Sequence, residues 1–178
     1  IYRLFNLKRV SYNRMTQEDN AIHADYTHRV PLYLAGLSLF LLCLTAWPPK
    51  SDAEADTRSE MAFSPNGESL QLILKGIAAA EREILVAGYS FTSKPIAEAL
   101  LAAYKRGVAV RVVVDAKSNS GRYTAATFLA NHEVPVRRNS NYAIMHHKFV
   151  VIDGEHVQTG SFNYSAVAVS RNAENVLI

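Results

Sequence analysis

Apolar residues recur at helical spacing at Leu70, Ile73, Leu74 and Ile77, so a helix is predicted that opens on Ser64-Pro65-Asn66 and fades near Glu83. Ile84 to Phe91 is nearly continuous in apolar character and reads as a strand. A second helical stripe follows at Ile96, Leu100, Leu101 and Tyr104, with Ser93 as its N-cap and Gly107 where a helix end takes a left-handed residue. Val108 to Val114 is β-branched apart from Ala109 and Arg111, which suits a buried parallel strand ending at Asp115. A polar loop from Lys117 to Arg122, a helix to about His132 and a short strand from Pro135 to Arg138 continue the alternation. The expected fold is therefore α/β, a mixed, largely parallel β-sheet flanked by helices on both faces. The stretch Asn175-Val176-Leu177-Ile178 has no turn or cap behind it, so this domain is expected to be truncated at the C-terminus.

The N-terminal third follows another pattern. Residues 30–49 hold no charged side chain; Arg29 and His28 precede them, and Asp52, Glu54 and Asp56 follow. That asymmetry keeps the N-terminal side in the cytoplasm. Ala53-Glu54-Ala55 has the small-residue spacing of a signal-peptidase site, so export with cleavage to the periplasm or the outside is the leading expectation. A retained anchor, with membrane association through residues 30–47, is the alternative, and a buried core helix the third. The polar segment 1–29 is acidic around Glu18 and Asp19, unusual for a signal, and Met15 is a candidate start. The chain thus divides into 1–29, 30–56 and a catalytic domain over 57–178.

Composition narrows this picture only a little. A length of 178 residues gives one domain plus an appendage. A hydrophobic fraction of 49% excludes disorder over most of it. The net charge of +3 permits an anionic partner without demanding one. Cys43 is the only cysteine, so no internal disulfide and no cysteine-based metal site is expected.

The chemistry is concentrated in AIMHHKFVVIDGEHVQTGSFN, residues 143–163. His146 and Lys148 are two apart in a β-branched run, so they leave one face of a strand; Ser161 and Asn163 do likewise if the chain stays extended. Asp153-Gly154 is a strong hairpin signal. A two-residue loop pairs Ile152 with Glu155 and places His146 opposite Ser161. Imidazole, ammonium, hydroxyl and carboxamide then converge: a nucleophile or proton carrier among donors suited to an oxyanion, as phosphodiester hydrolysis requires. Chance assembly of six such residue types at these spacings is on the order of one in a million.

His146, Lys148, Asp153, Gly160, Ser161 and Asn163 match the HxKxxxxDxxxxxxGSxN motif, and on these residues the chain resembles the phospholipase D superfamily. GYSFTS at 88–93, SNSGR at 118–122 and Asn172-Ala173-Glu174-Asn175 resemble its small bacterial endonuclease branch. The resemblance implies a covalent phosphohistidine, no metal or other cofactor, and a homodimer sharing one active site about a two-fold axis. Position by position, it implies that His146 is nucleophile in one subunit and general acid in the other. Lys148 and Asn163 bind the non-bridging oxygens, Ser161 adds a hydrogen bond, and Glu174 holds the far ring nitrogen of His146. Asp153 belongs to the motif's catalytic set, but strand parity turns it from the site and toward structural support.

Other readings stand beside these. Arg122 is a candidate phosphate contact because its loop lies beyond the carboxyl end of a strand, whereas Arg137 and Arg138 read equally as a solvated strand end. A metal site would gather His146, His147, Asp153 and His156, but strand alternation separates the first two. Tyr89, Phe91 and Tyr142 are candidates for stacking on bases or for the core, Phe91 for the core. The leading function is a non-specific endonuclease on DNA or RNA. The alternative is a phospholipase D or phosphatidyl-transfer enzyme, and a silent nucleic-acid-binding module is the third, for which a nucleophile is superfluous.

Overall fold

A computed structural model describes residue 5 and residues 57–122 and 124–178. The polar segment 1–29, the apolar run 30–49, the Ala53-Glu54-Ala55 site and Cys43 lie outside the described residues, Phe5 excepted. Among the described residues no helix is long and apolar enough to cross a membrane.

Among the described residues, seven strands alternate with four helices. In chain order they are β1 (Met61–Ser64), α1 (Glu68–Ala79), β2 (Glu83–Gly88), α2 (Lys94–Lys105), β3 (Ala109–Asp115) and α3 (Ala125–Asn131). Then come β4 (Val136–Asn139), β5 (Lys148–Ile152), β6 (His156–Gly160), α4 (Ala166–Ser170) and β7 (Glu174–Leu177). The strands make one sheet in the order β1-β7-β6-β5-β2-β3-β4.

The sheet is mixed, as expected, but not largely parallel. Only β2 with β3 and β3 with β4 run parallel; the other four pairings are antiparallel. The physical reason lies between Asn139 and Lys148, where the chain is too short for the crossover that another parallel strand needs. β5 therefore returns antiparallel to β2 and turns directly into β6.

Helices α1–α4 all pack on one face, whereas the sequence pattern led to helices on both. There Ile84, Val86, Val110, Val112, Val114, Val150 and Ile152 meet Ile73 and Ile77 of α1, Leu100 of α2, Leu129 of α3 and Ala168 of α4. The other face buries Leu85, Ala87, Val113 and Val151 with Met145 and Phe5, the last in a helical conformation. Burial on both faces explains why β2 and β3 read as continuous apolar runs rather than alternating ones.

This topology collects strand ends. β2, β3, β5 and β6 bring Gly88, Asp115, Lys148 and Gly160 to one end of the sheet, and β7 begins there with Glu174. The β5–β6 turn lies at the opposite end. The strands predicted at 84–91 and 108–114 form at 83–88 and 109–115, the first ending three residues early, while β1 and α4, of four and five residues, carry too little periodicity to be read.

Candidate active site

His146 stands two residues before Lys148, which opens β5 opposite Gly88 of β2. The Lys148 Nζ stands 3.2 and 3.1 Å from the two ring nitrogens of His146 and donates to the His146 carbonyl at 3.0 Å. An ammonium only donates, so this pairing is matched when a ring nitrogen presents its lone pair. The Tyr89 ring lies beside both, its centroid 4.6 Å from that of His146 and 5.4 Å from Lys148 Nζ. Lys148 is only 9% exposed. Burial pulls its ammonium below the ordinary lysine range, and the charge of Glu174 pushes back part of the way.

The hairpin turn forms where the sequence places it: Asp153 and Gly154 have φ of 56° and 76°, and Glu155 N donates to Ile152 O at 3.1 Å. The ladder differs by one residue. Ile152 pairs with His156 rather than Glu155, so Glu155 is an extra residue on the return strand. Continued, that register sets His146 level with Phe162, not Ser161. The cluster still assembles, because the chain leaves the ladder at Gly160.

Gly160 has φ 145°, and a Cβ there would collide with the Asn175 carbonyl of β7. Glycine is needed for that close approach. It delivers Ser161 to β7, where Ser161 Oγ donates to Glu174 Oε2 at 2.6 Å and accepts from Asn175 N at 3.1 Å. The other Glu174 oxygen accepts from Asn172 Nδ2 at 3.0 Å. The carboxylate thus holds Ser161 rather than the His146 ring, to which no hydrogen bond or ion pair joins it. Asn163 is half-buried, with Oδ1 buried and unpartnered. A half-turn of the amide sets an unengaged N–H donor at that point, as a phosphate oxygen would use. A cleft of about 440 Å³ joins His146, Lys148, Thr159, Gly160, Ser161 and Asn163.

Asp153 does not join them. It sits at the far end of β5, roughly 16 Å along the strand from Lys148, and accepts from the backbone N–H groups of Glu81, Arg82 and Glu83 at 2.9, 2.7 and 2.9 Å. It ties the hairpin to the start of β2, the structural role that its parity indicates. His156 is at that end too, whereas His147 packs against Phe149 and both line the cleft beside His146. Arg122 is exposed in the turn before α3 and lines no part of the cleft. A groove of about 520 Å³ by Lys75, Arg82 and Ile178 contains none of the His, Lys, Ser and Asn of the cleft.

Two residues, one ending β3 and one in the polar loop after it, matter more than their sequence context shows. Asn119 is fully buried; its Nδ2 donates to Tyr89 O at 2.7 Å and Asp115 O at 2.9 Å, and its Oδ1 accepts from Phe91 N at 3.0 Å. Asp115 accepts from Met145 N at 3.0 Å and Ser118 N at 2.8 Å. Burial alone would raise its pKa, but these N–H donors outweigh it and hold the carboxyl below the usual range. The available sequence signal was an Asp at a strand's carboxyl end followed by Asn in a tight loop.

A family model described as cardiolipin synthase, PLD-like domain, matches residues 73–178. A phospholipase D from Rickettsia felis is 34% identical over 116 residues, covering 65% of this chain and 58% of that protein. A mitochondrial cardiolipin hydrolase from Canis lupus familiaris is 33% identical over 115 residues, covering 64% and 45%. The matched stretch spans about half the length of these relatives. Among solved structures, the phospholipase D family member Nuc from Salmonella typhimurium superposes with a TM-score of 0.66 at 39% identity, over 67% of this chain and 80% of that one. NucT from Helicobacter pylori gives 0.60 at 28%, over 67% and 83%.

Proposed function

The chain belongs to the phospholipase D superfamily, and from that premise we propose that it hydrolyses phosphodiester bonds of nucleic acid through a phosphohistidine at His146. The observation that carries this is the contact of His146 with buried Lys148 in a cleft that also holds Ser161 and Asn163. His146 attacks phosphorus, the bond to the leaving oxygen breaks, and that oxygen takes a proton from a second imidazole. Water then displaces His146 from phosphorus and returns the proton. Lys148 and the Asn163 amide stabilise the charge on the non-bridging oxygens, with no metal ion, while the Ser161 hydroxyl gives its one proton to Glu174. Glu174 acts through Ser161, in place of the imidazole contact that the family resemblance implies.

One motif supplies one histidine. The second comes from a second copy in a homodimer whose two-fold axis passes by the cleft. Export, with residues 30–56 as signal or anchor, accompanies this reading.

Nucleic acid is favoured by exposed Lys117, Arg122, Arg137 and Arg138 around the carboxyl ends of β3 and β4, a charge distribution suited to a polyanion. Phospholipid is the second reading, favoured by Tyr142 and Ile144, which are 58% and 55% exposed in the segment leading to His146. Incubating the protein and His146→Asn with plasmid, single-stranded DNA and labelled phospholipid, each with and without EDTA, tests both. DNA cleavage that needs His146 and survives EDTA is expected. Cleavage lost with EDTA and restored by Mg²⁺ or Zn²⁺ overturns the metal-free mechanism, and turnover of lipid alone replaces the substrate.

A further inference from the structure

We propose that Tyr89 is a positioning residue for His146 and Lys148, acting through its ring face and fixed by buried Asn119; this rests on reading His146 as the nucleophile. His146 lies outside any strand, in the irregular segment between β4 and β5, so the ladder does not fix its ring. Tyr89 does so from the side. Its ring is tilted 59° to the imidazole at 4.6 Å, and its face meets the Lys148 ammonium at 5.4 Å. A π face attracts a cation and gives the imidazole a wall that water does not.

The wall is itself anchored. Asn119 uses three hydrogen bonds to fix the backbone at Tyr89 and Phe91 onto the carboxyl end of β3. From the other side, Thr92 N and Ser93 N both donate to Tyr164 O at 2.8 Å. The same β3 end grips Met145, one residue before His146, through Asp115. Tyr89 and His146 therefore hang from one buried Asp115–Asn119 hub, and their spacing is set there. Both contacts that Tyr89 makes with His146 and Lys148 are made by its ring, and the comparison of Phe with Leu at this position separates the ring from the phenol.

The test compares Tyr89→Phe and Tyr89→Leu with the parent and His146→Asn on bis(4-nitrophenyl) phosphate, alongside ¹H–¹³C spectra of the His146 ring. Tyr89→Phe should keep kcat and leave the His146 ring resonances in place. Tyr89→Leu should lower kcat by about tenfold or more with KM little changed, since misplacement of a reacting group acts on the chemical step. It should also move the His146 resonances, through loss of the aromatic ring current. Tyr89→Leu with parental kcat, in a protein that His146→Asn inactivates, overturns the positioning role alone. Tyr89→Phe losing as much as Tyr89→Leu transfers the role to the hydroxyl and overturns it too. If His146→Asn stays active, the nucleophile assignment fails instead. The spectra then still decide the contact, because His146 resonances unmoved in Tyr89→Leu refute it independently of turnover.

Discussion

Lys148 combines burial with a charge, and the two conflict. Its folded ammonium gives up a proton more readily than the unfolded side chain, whose ordinary value is 10.5. Between the folded value and 10.5 the unfolded state binds more protons, so this group makes stability rise with pH. Lys148→Met should therefore raise stability at neutral pH by about 1 kcal/mol while abolishing hydrolysis, a trade of function against stability. Thermal unfolding of both forms at neutral pH and above pH 10.5 checks this: the gap should narrow in alkali, and a destabilised Lys148→Met would contradict it. At this scale the sequence was partly legible: it put His146 beside Lys148, but through a strand that in fact begins only at Lys148. The partner of Glu174 was not, because which neighbour a carboxylate meets depends on how β6 and β7 approach.

That approach, and the hairpin that leads to it, belong to the elements. Gly160→Ala should cost more than about 3 kcal/mol and displace Ser161, because it adds both a strained φ and a collision with the β7 backbone. Chemical denaturation measures the loss; parental stability would mean that β7 moves aside at little cost. At the other end of the hairpin, three backbone N–H groups favour the charged Asp153, that of Glu81 most strongly, and hold its carboxyl below the ordinary 3.8. The folded pKa is the lower one, so this stabilisation is present above 3.8 and is lost as pH falls through the folded value. Asp153→Asn should cost about 1–2 kcal/mol at pH 7, with turnover reduced no more than unfolding explains. The difference from the parent should vanish in acid; a cost that persists there would show that charge is not what Asp153 contributes. The turn at Asp153-Gly154 was readable from residue type, whereas the extra Glu155 was not, since nothing local separates a two-residue loop from the same loop with a bulge. The antiparallel return of β5 was readable only by counting the residues from Asn139 to Lys148 against the length of a crossover.

Over the whole molecule, one end of a seven-stranded sheet gathers residues from positions 89 to 174, and the scaffold rather than sequence proximity makes the site. A single motif histidine per chain, in the proposed shared site, has a measurable consequence. In a fully exchanged equal mixture of parent and His146→Asn chains, about one dimer in four holds two intact histidines. Activity should fall to that fraction, whereas independent sites would retain about half. The central claim, however, is the covalent bond between His146 and phosphorus. Rapid quenching of the parent protein during turnover of a ³²P-labelled oligonucleotide, followed by peptide mapping in alkali, measures it most directly. The account predicts label, stable to base and labile to acid, on the peptide bearing His146 and absent from His146→Asn; turnover with no label on that peptide, or undiminished cleavage by His146→Asn, would contradict it.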